Sequence, residues 1–170
     1  MALRTIRILG DPVLEKTCRP VTELTPRLRT LIGDMFETMY EAAGVGLAAP
    51  QVGVLRRIVV IDCGIEERQP YVFINPEILE TEGSQTGDEG CLSYPGKCGT
   101  VTRPEKVKVR ALDINMEPFE LEAEGLLARA VCHECDHLEG KMYVSLVEGE
   151  IRDAVYEEEA EEEEEEETEE

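Results

Sequence analysis

The chain has 170 residues with 38 acids, 17 bases and two histidines, for a formal net charge of −21. Such a charge argues against an electrostatic nucleic-acid surface, which needs clustered Lys and Arg, and against anionic membranes. The last fourteen residues, "EEEAEEEEEEETEE", hold twelve of the glutamates, leaving 26 acids against 17 bases, a net of −9, on residues 1–156. That body is long enough for one domain, and residues 157–170 read as a disordered, solvated polyanion.

No apolar run reaches the ~18 residues of a spanning helix, and "MALRTIRILGDPVL" is too polar for a secretory leader. A cytoplasmic protein is expected, with six cysteines that serve as thiols or metal ligands rather than disulfides.

In chain order, "LTPRLRTLIGDMFETMYEAAG" predicts a helix capped by Thr25, with Pro26 at its first position and Gly44 at its end. Leu28, Leu31, Ile32, Met35 and Met39 fall on one face, so the methionines are core filler. "GVGLAAPQVG" (44–53) is rich in small residues. Gly44 and Gly46 allow backbone to approach a ligand, and Gln51 offers an amide N–H. It lacks the Lys-Ser/Thr ending of a phosphate loop.

"RRIVVIDC" predicts a buried strand, and "YVFINPEIL" a second one stopped by Pro76. "DEGCLSYPG" predicts a Gly-flanked loop around Cys91, before a turn at Pro95-Gly96. "KVKVRALD" and "FELEAEG" alternate with period two and flank a hairpin turn. "GLLARAVCHECDHLEG" predicts a second helix, "KMYVSLV" a last strand, and "EGEIRDAVYEEE" a closing helix. The sum is an α+β fold: short, mainly antiparallel sheets around a central helix carrying HECDH, with an N-terminal and a C-terminal helix.

Both histidines fall in "HECDH". Four residues apart on a helix, His133 and His137 project the same way and can share one metal ion. Glu134, one residue round, stands beside that ion, placed to take a proton from water. Cys132 and Cys135 offer a redox C-x-x-C reading. They lie inside a helix rather than at its N-terminus, there is no second C-x-x-C for a structural zinc, and they point away from the histidines. They read as packing residues. A catalytic site needs a third protein ligand. The position where H-E-x-x-H-x-x-G-x-x-H peptidases carry a third His is Tyr143, so the ligand comes from elsewhere, and Cys91 is the candidate. Asp136 reads as a supporting residue, with Arg103 as its ion-pair partner.

In order and spacing, "GVGLAAPQVG", "EGCLS" and "HECDH" resemble the three signature motifs of the peptide deformylases, and the likeness runs over roughly residues 3 to 150. The resemblance implies an Fe²⁺ ion, replaceable by Ni²⁺, Co²⁺ or Zn²⁺, held by Cys91, His133 and His137. It implies hydrolysis of the N-formyl group from the initiator methionine of nascent chains, releasing formate. By the same resemblance Glu134 is the catalytic acid and base, and Gln51 and the Leu92 N–H stabilise the oxyanion. Gly46 pairs with the substrate backbone, and Val45, Leu126 and Ala130 line the methionine pocket. The implied partners are formylmethionyl peptides near the ribosome, met by a monomer. Two rivals stand beside this reading: another H-E-x-x-H hydrolase such as a small metallopeptidase, and a silent homologue that binds nascent chains.

Overall fold

The computed structural model describes residues 2–154. Helix α1 (Pro26–Glu41) begins where Thr25 accepts the Leu28 N–H at 3.2 Å, with Pro26 in the first turn. Strands β1 (Gly46–Ala48), β2 (Ile58–Asp62) and β3 (Pro70–Glu82) follow. Strands β4 (Gln85–Cys91) and β5 (Tyr94–Arg103) form one hairpin, and β6 (Lys106–Leu112) and β7 (Pro118–Glu124) another. Helix α2 (Gly125–Leu138) carries HECDH, and β8 (Glu148–Asp153) comes last.

Two sheets result, with orders β1-β2-β3-β6-β7 and β4-β5-β8, antiparallel throughout. The α+β class is thus borne out, with α2 packed mainly on β1, β2, β6 and β7 of the first sheet and touching β5 of the second. Strand β2 shows why its run is uniformly apolar. Ile58 and Val60 face α1, packing with Leu31, Ile32, Met35 and Met39. Val59 and Ile61 face the other way, onto Ala128, Val131 and Leu138 of α2. A strand covered on both faces has no place for alternation. Met35 and Met39 are fully buried core residues, each contributing about 1.5–3 kcal/mol of transfer free energy.

Four local expectations are corrected. Strand β3 runs through Pro76, because Asn75 turns the chain with φ +52 and the ladder shifts between Ile74 and Glu77. A bulge is where a residue without an N–H can sit in a strand, and the Asn75 side chain secures it by bonding Val21 N and O at 2.8 Å each. Cys91 ends a strand rather than sitting in a loop. The turn is at Leu92-Ser93, and Pro95-Gly96 belong to β5. "KMYVSLV" forms a short 3₁₀ turn, Tyr143–Leu146, that buries Tyr143. Residues 148–153 of the expected closing helix form β8. Its Asp153 pairs with Lys97, Arg152 with Asp88 at 2.5 Å, and Glu148 accepts from Thr102 at 2.7 Å. These cross-strand pairs cover the edge of β5 and outweigh local helix propensity. The expected tail, 157–170, lies outside the described residues.

Candidate active site

Three elements deliver the site. Helix α2 runs straight out of β7, entering through Gly125 at φ +59, and aims His133, Glu134 and His137 at the end of β4. There Cys91 Sγ lies 3.3 Å from His137 Nε2, and His137 Nε2 lies 3.3 Å from His133 Nε2. All three donor atoms fall within 4.8 Å of one another. A tetrahedral ion with N ligands at ~2.0–2.1 Å and S at ~2.3 Å sets its ligands about 3.3–3.6 Å apart, so the donor set fits one divalent transition ion.

Burial opposes charge on His133, yet its contacts with Cys91 and Glu89 and the nearby Glu134 push its pKa up. Burial and the charge of His133 push His137 down to about 3.

Glu89, which the motif reading passed over, holds the site together. It is 6% exposed. Its Oε1 takes His133 Nδ1 at 2.5 Å and Arg103 Nη2 at 2.6 Å. Its Oε2 takes Arg103 Nε at 3.1 Å and Arg129 Nη1 at 2.8 Å. Burial raises its pKa, but these donors prevail and hold it down to about 2. With the Nδ1 proton committed to Glu89, His133 presents the Nε2 lone pair inward. Arg103 also reaches Asp136 at 2.7 Å, as expected. Two guanidiniums and two carboxylates therefore balance beneath the histidines. Tyr143, in place of a third histidine, stacks on His133 with ring centroids 5.9 Å apart. A clue to Glu89 was available: as a strand, period two puts residues 89 and 91 on one face.

Glu134 is 4% exposed, burial pushes its pKa up to about 7, and its Oε2 has no hydrogen-bond partner among the described residues. It sits against Gly46, where an added Cβ would come within 2.7 Å of Oε1. Gln51 is pinned: Oε1 accepts from Ala48 N at 2.9 Å, while Nε2 points at Ser93 Oγ (3.1 Å) and Cys91 Sγ (3.5 Å). Leu92 crosses Gly44 so closely that a Cβ there would meet its Cδ1 at 2.6 Å. Cys132 and Cys135 pack in the core, their thiols pushed up by burial to about 11 and about 12, which suits packing rather than redox chemistry.

A cleft of about 710 Å³ opens over these groups. Val45, Gly46, Leu92, Leu126 and Ala130 line it together with Cys91, His133 and Glu134. The sequence-predicted residues thus converge: Gln51 and His137 are not among the residues lining the cleft, but they reach Cys91 Sγ at 3.5 and 3.3 Å. Among the described residues no helix is long and apolar enough to cross a membrane.

A family model described as polypeptide deformylase matches residues 3–152. A peptide deformylase of Lachnoclostridium phytofermentans is 61% identical over 160 residues, covering 94% of this chain and 98% of that protein. One of Agathobacter rectalis is 64% identical over 158 residues, covering 93% and 98%. Among solved structures, a peptide deformylase from Legionella pneumophila superposes with a TM-score of 0.83 at 49% identity, covering 86% of each chain. One from Synechococcus elongatus, in complex with actinonin, gives 0.81 at 45% identity, covering 85% of this chain and 78% of that one.

Proposed function

The chain belongs to the polypeptide deformylase family, and we propose that it hydrolyses the formyl amide at the N-terminus of newly made proteins, using Glu134 as acid and base beside a metal held by Cys91, His133 and His137. The observation that carries the reading is the convergence of these three donors with the buried Glu134 carboxylate, whose Oε2 has no hydrogen-bond partner among the described residues, on a peptide-sized cleft. We take the ion as iron(II), with Ni²⁺, Co²⁺ or Zn²⁺ able to replace it. A divalent ion held by these residues would supply Lewis acidity.

The chain's own residues do the rest. Glu134 takes a proton from water as it attacks the formyl carbon, and its raised pKa lets it pass that proton to the departing amine near neutral pH. The Gln51 amide, fixed through Ala48, and the Leu92 N–H receive charge developing on the formyl oxygen; one such donor is worth about 2.7–4 kcal/mol. Strand β1 is the edge of its sheet. Val45 O is taken by Asp62 N at 2.8 Å. Alternation then turns the Gly46 amide and carbonyl toward the open side, where an extended substrate can add as a further strand. Val45, Leu126 and Ala130 offer apolar contact for the methionine side chain. Substrates of this kind place the protein in the cytoplasm near the ribosome, and we read it as a monomer whose catalytic domain spans 1–156.

Formate release from formyl-Met-Ala-Ser, with no cleavage of unformylated peptides, tests the reading. Glu134→Ala keeps its metal and loses nearly all turnover. Cleavage of internal peptide bonds would favour the metallopeptidase alternative, and retained turnover in Glu134→Ala would refute the role of that residue.

A further inference from the structure

The wall of the proposed methionine pocket is not wholly apolar. Residues 126, 129, 130 and 133 of α2 follow one another along the cleft at helical spacing, and the second is Arg129. The residue is 8% exposed and its side chain is fixed at one end. Nη1 donates to Glu89 at 2.8 Å and to the Val101 carbonyl at 3.1 Å. No acceptor among the described residues takes Nε or Nη2, and neither is among the sealed polar atoms that lack a partner. Arg129 lines the cleft, and among the described residues these donors are left without a protein acceptor there. Nη2 lies beside Gly87 of β4, where an added Cβ would stand 3.6 Å away in ordinary contact.

Resting on the deformylase reading, we propose that Arg129 is a specificity-determining residue that lets the pocket accept an N-formylated first residue bearing an acceptor oxygen at its sulfur, namely formyl-methionine sulfoxide. An apolar pocket rejects a sulfoxide, because the S=O leaves water without a new partner. A rigid guanidinium with free N–H groups returns that hydrogen bond, and a donor matched to a substrate oxygen discriminates far more strongly than a change of methylenes does. The thioether of unmodified methionine lies against the same planar cation at little cost. The reaction is otherwise unchanged: water adds across the formyl amide, and formate and the free amine leave.

The test compares kcat/KM for formyl-Met-Ala-Ser and formyl-Met(O)-Ala-Ser by formate release on the same metal-loaded protein. Taking the ratio cancels any general loss from disturbing Glu89. The unmutated protein is to cleave the better sulfoxide within about tenfold of methionine, and Arg129→Met is to widen that gap by a further tenfold or more, with Arg129→Lys between. A second readout needs no variant. The two sulfoxide epimers aim their oxygens differently, so a fixed donor is to separate their rates at least fivefold. An unaltered ratio in Arg129→Met, or both epimers cleaved equally and more than a hundredfold slower than methionine, overturns the proposal. No formate from formyl-Met-Ala-Ser at all would instead overturn the deformylase reading, and the proposal with it.

Discussion

Replacing Glu89 by glutamine would cost the protein both stability and metal. The carboxylate accepts four N–H groups, two at each oxygen. A glutamine amide keeps one oxygen and turns an NH₂ toward the other pair of donors, so two of the four bonds are lost whichever way it sits. Hydrogen bonds to charged groups are worth about 1.5–3 kcal/mol each. Some loss is recovered, since Arg103 keeps Asp136 and Arg129 keeps the Val101 carbonyl. A net destabilisation of about 3 kcal/mol follows, which for a domain of this size lowers Tm by about 6–12 °C. Loss of the His133 anchor weakens metal binding by about 10–100-fold. Differential scanning calorimetry of the metal-free protein and competition with a chromophoric chelator measure the two effects separately. The acid limb adds a signature. Because Glu89 has its pKa lowered from 4.5 to about 2, it contributes stability above pH 4.5 that disappears as the pH falls toward 2, and the glutamine variant lacks that segment. A Tm within about 2 °C of the unmutated protein and metal affinity within about threefold would refute the argument.

Gly46→Ala forces a methyl group to within 2.7 Å of Glu134 Oε1. Metal content stays near one per chain, while kcat falls by about tenfold or more as the carboxylate is pushed aside; metal analysis beside a formate assay reads both. Metal affinity falls as the pH is lowered, because protons compete for a His133 whose pKa is pushed up by its contacts with Cys91 and Glu89; chelator competition between pH 8 and 6 would show it. Deleting residues 157–170 leaves kcat/KM for a formylated tripeptide within about twofold, since the twelve glutamates of that segment are expected to add only a salt-screened field; a larger loss would assign the glutamates a role in catalysis.

Local signals in the chain were enough for the cap and apolar face of α1, the β6–β7 hairpin and the helix that aligns His133 with His137, because each depends on neighbours within a few residues. Three ordered motifs pointed to the chemistry, and Cys91 emerged as the candidate third ligand because the histidines alone are too few. Other features depended on partners distant in sequence. Glu89 and His133 are joined at 2.5 Å across 44 positions, and nothing in "DEGC" announces the two arginines that fold onto it. Tyr143 looks like a strand residue until it stacks on His133. Residues 148–153 carry a helix-compatible pattern, yet they complete a sheet because β5 offers an edge and complementary charges. Short-range periodicity and capping act within a turn or two and are written in the sequence. Burial of a carboxylate among cations, or coverage of a sheet edge, is decided by what the completed fold brings alongside.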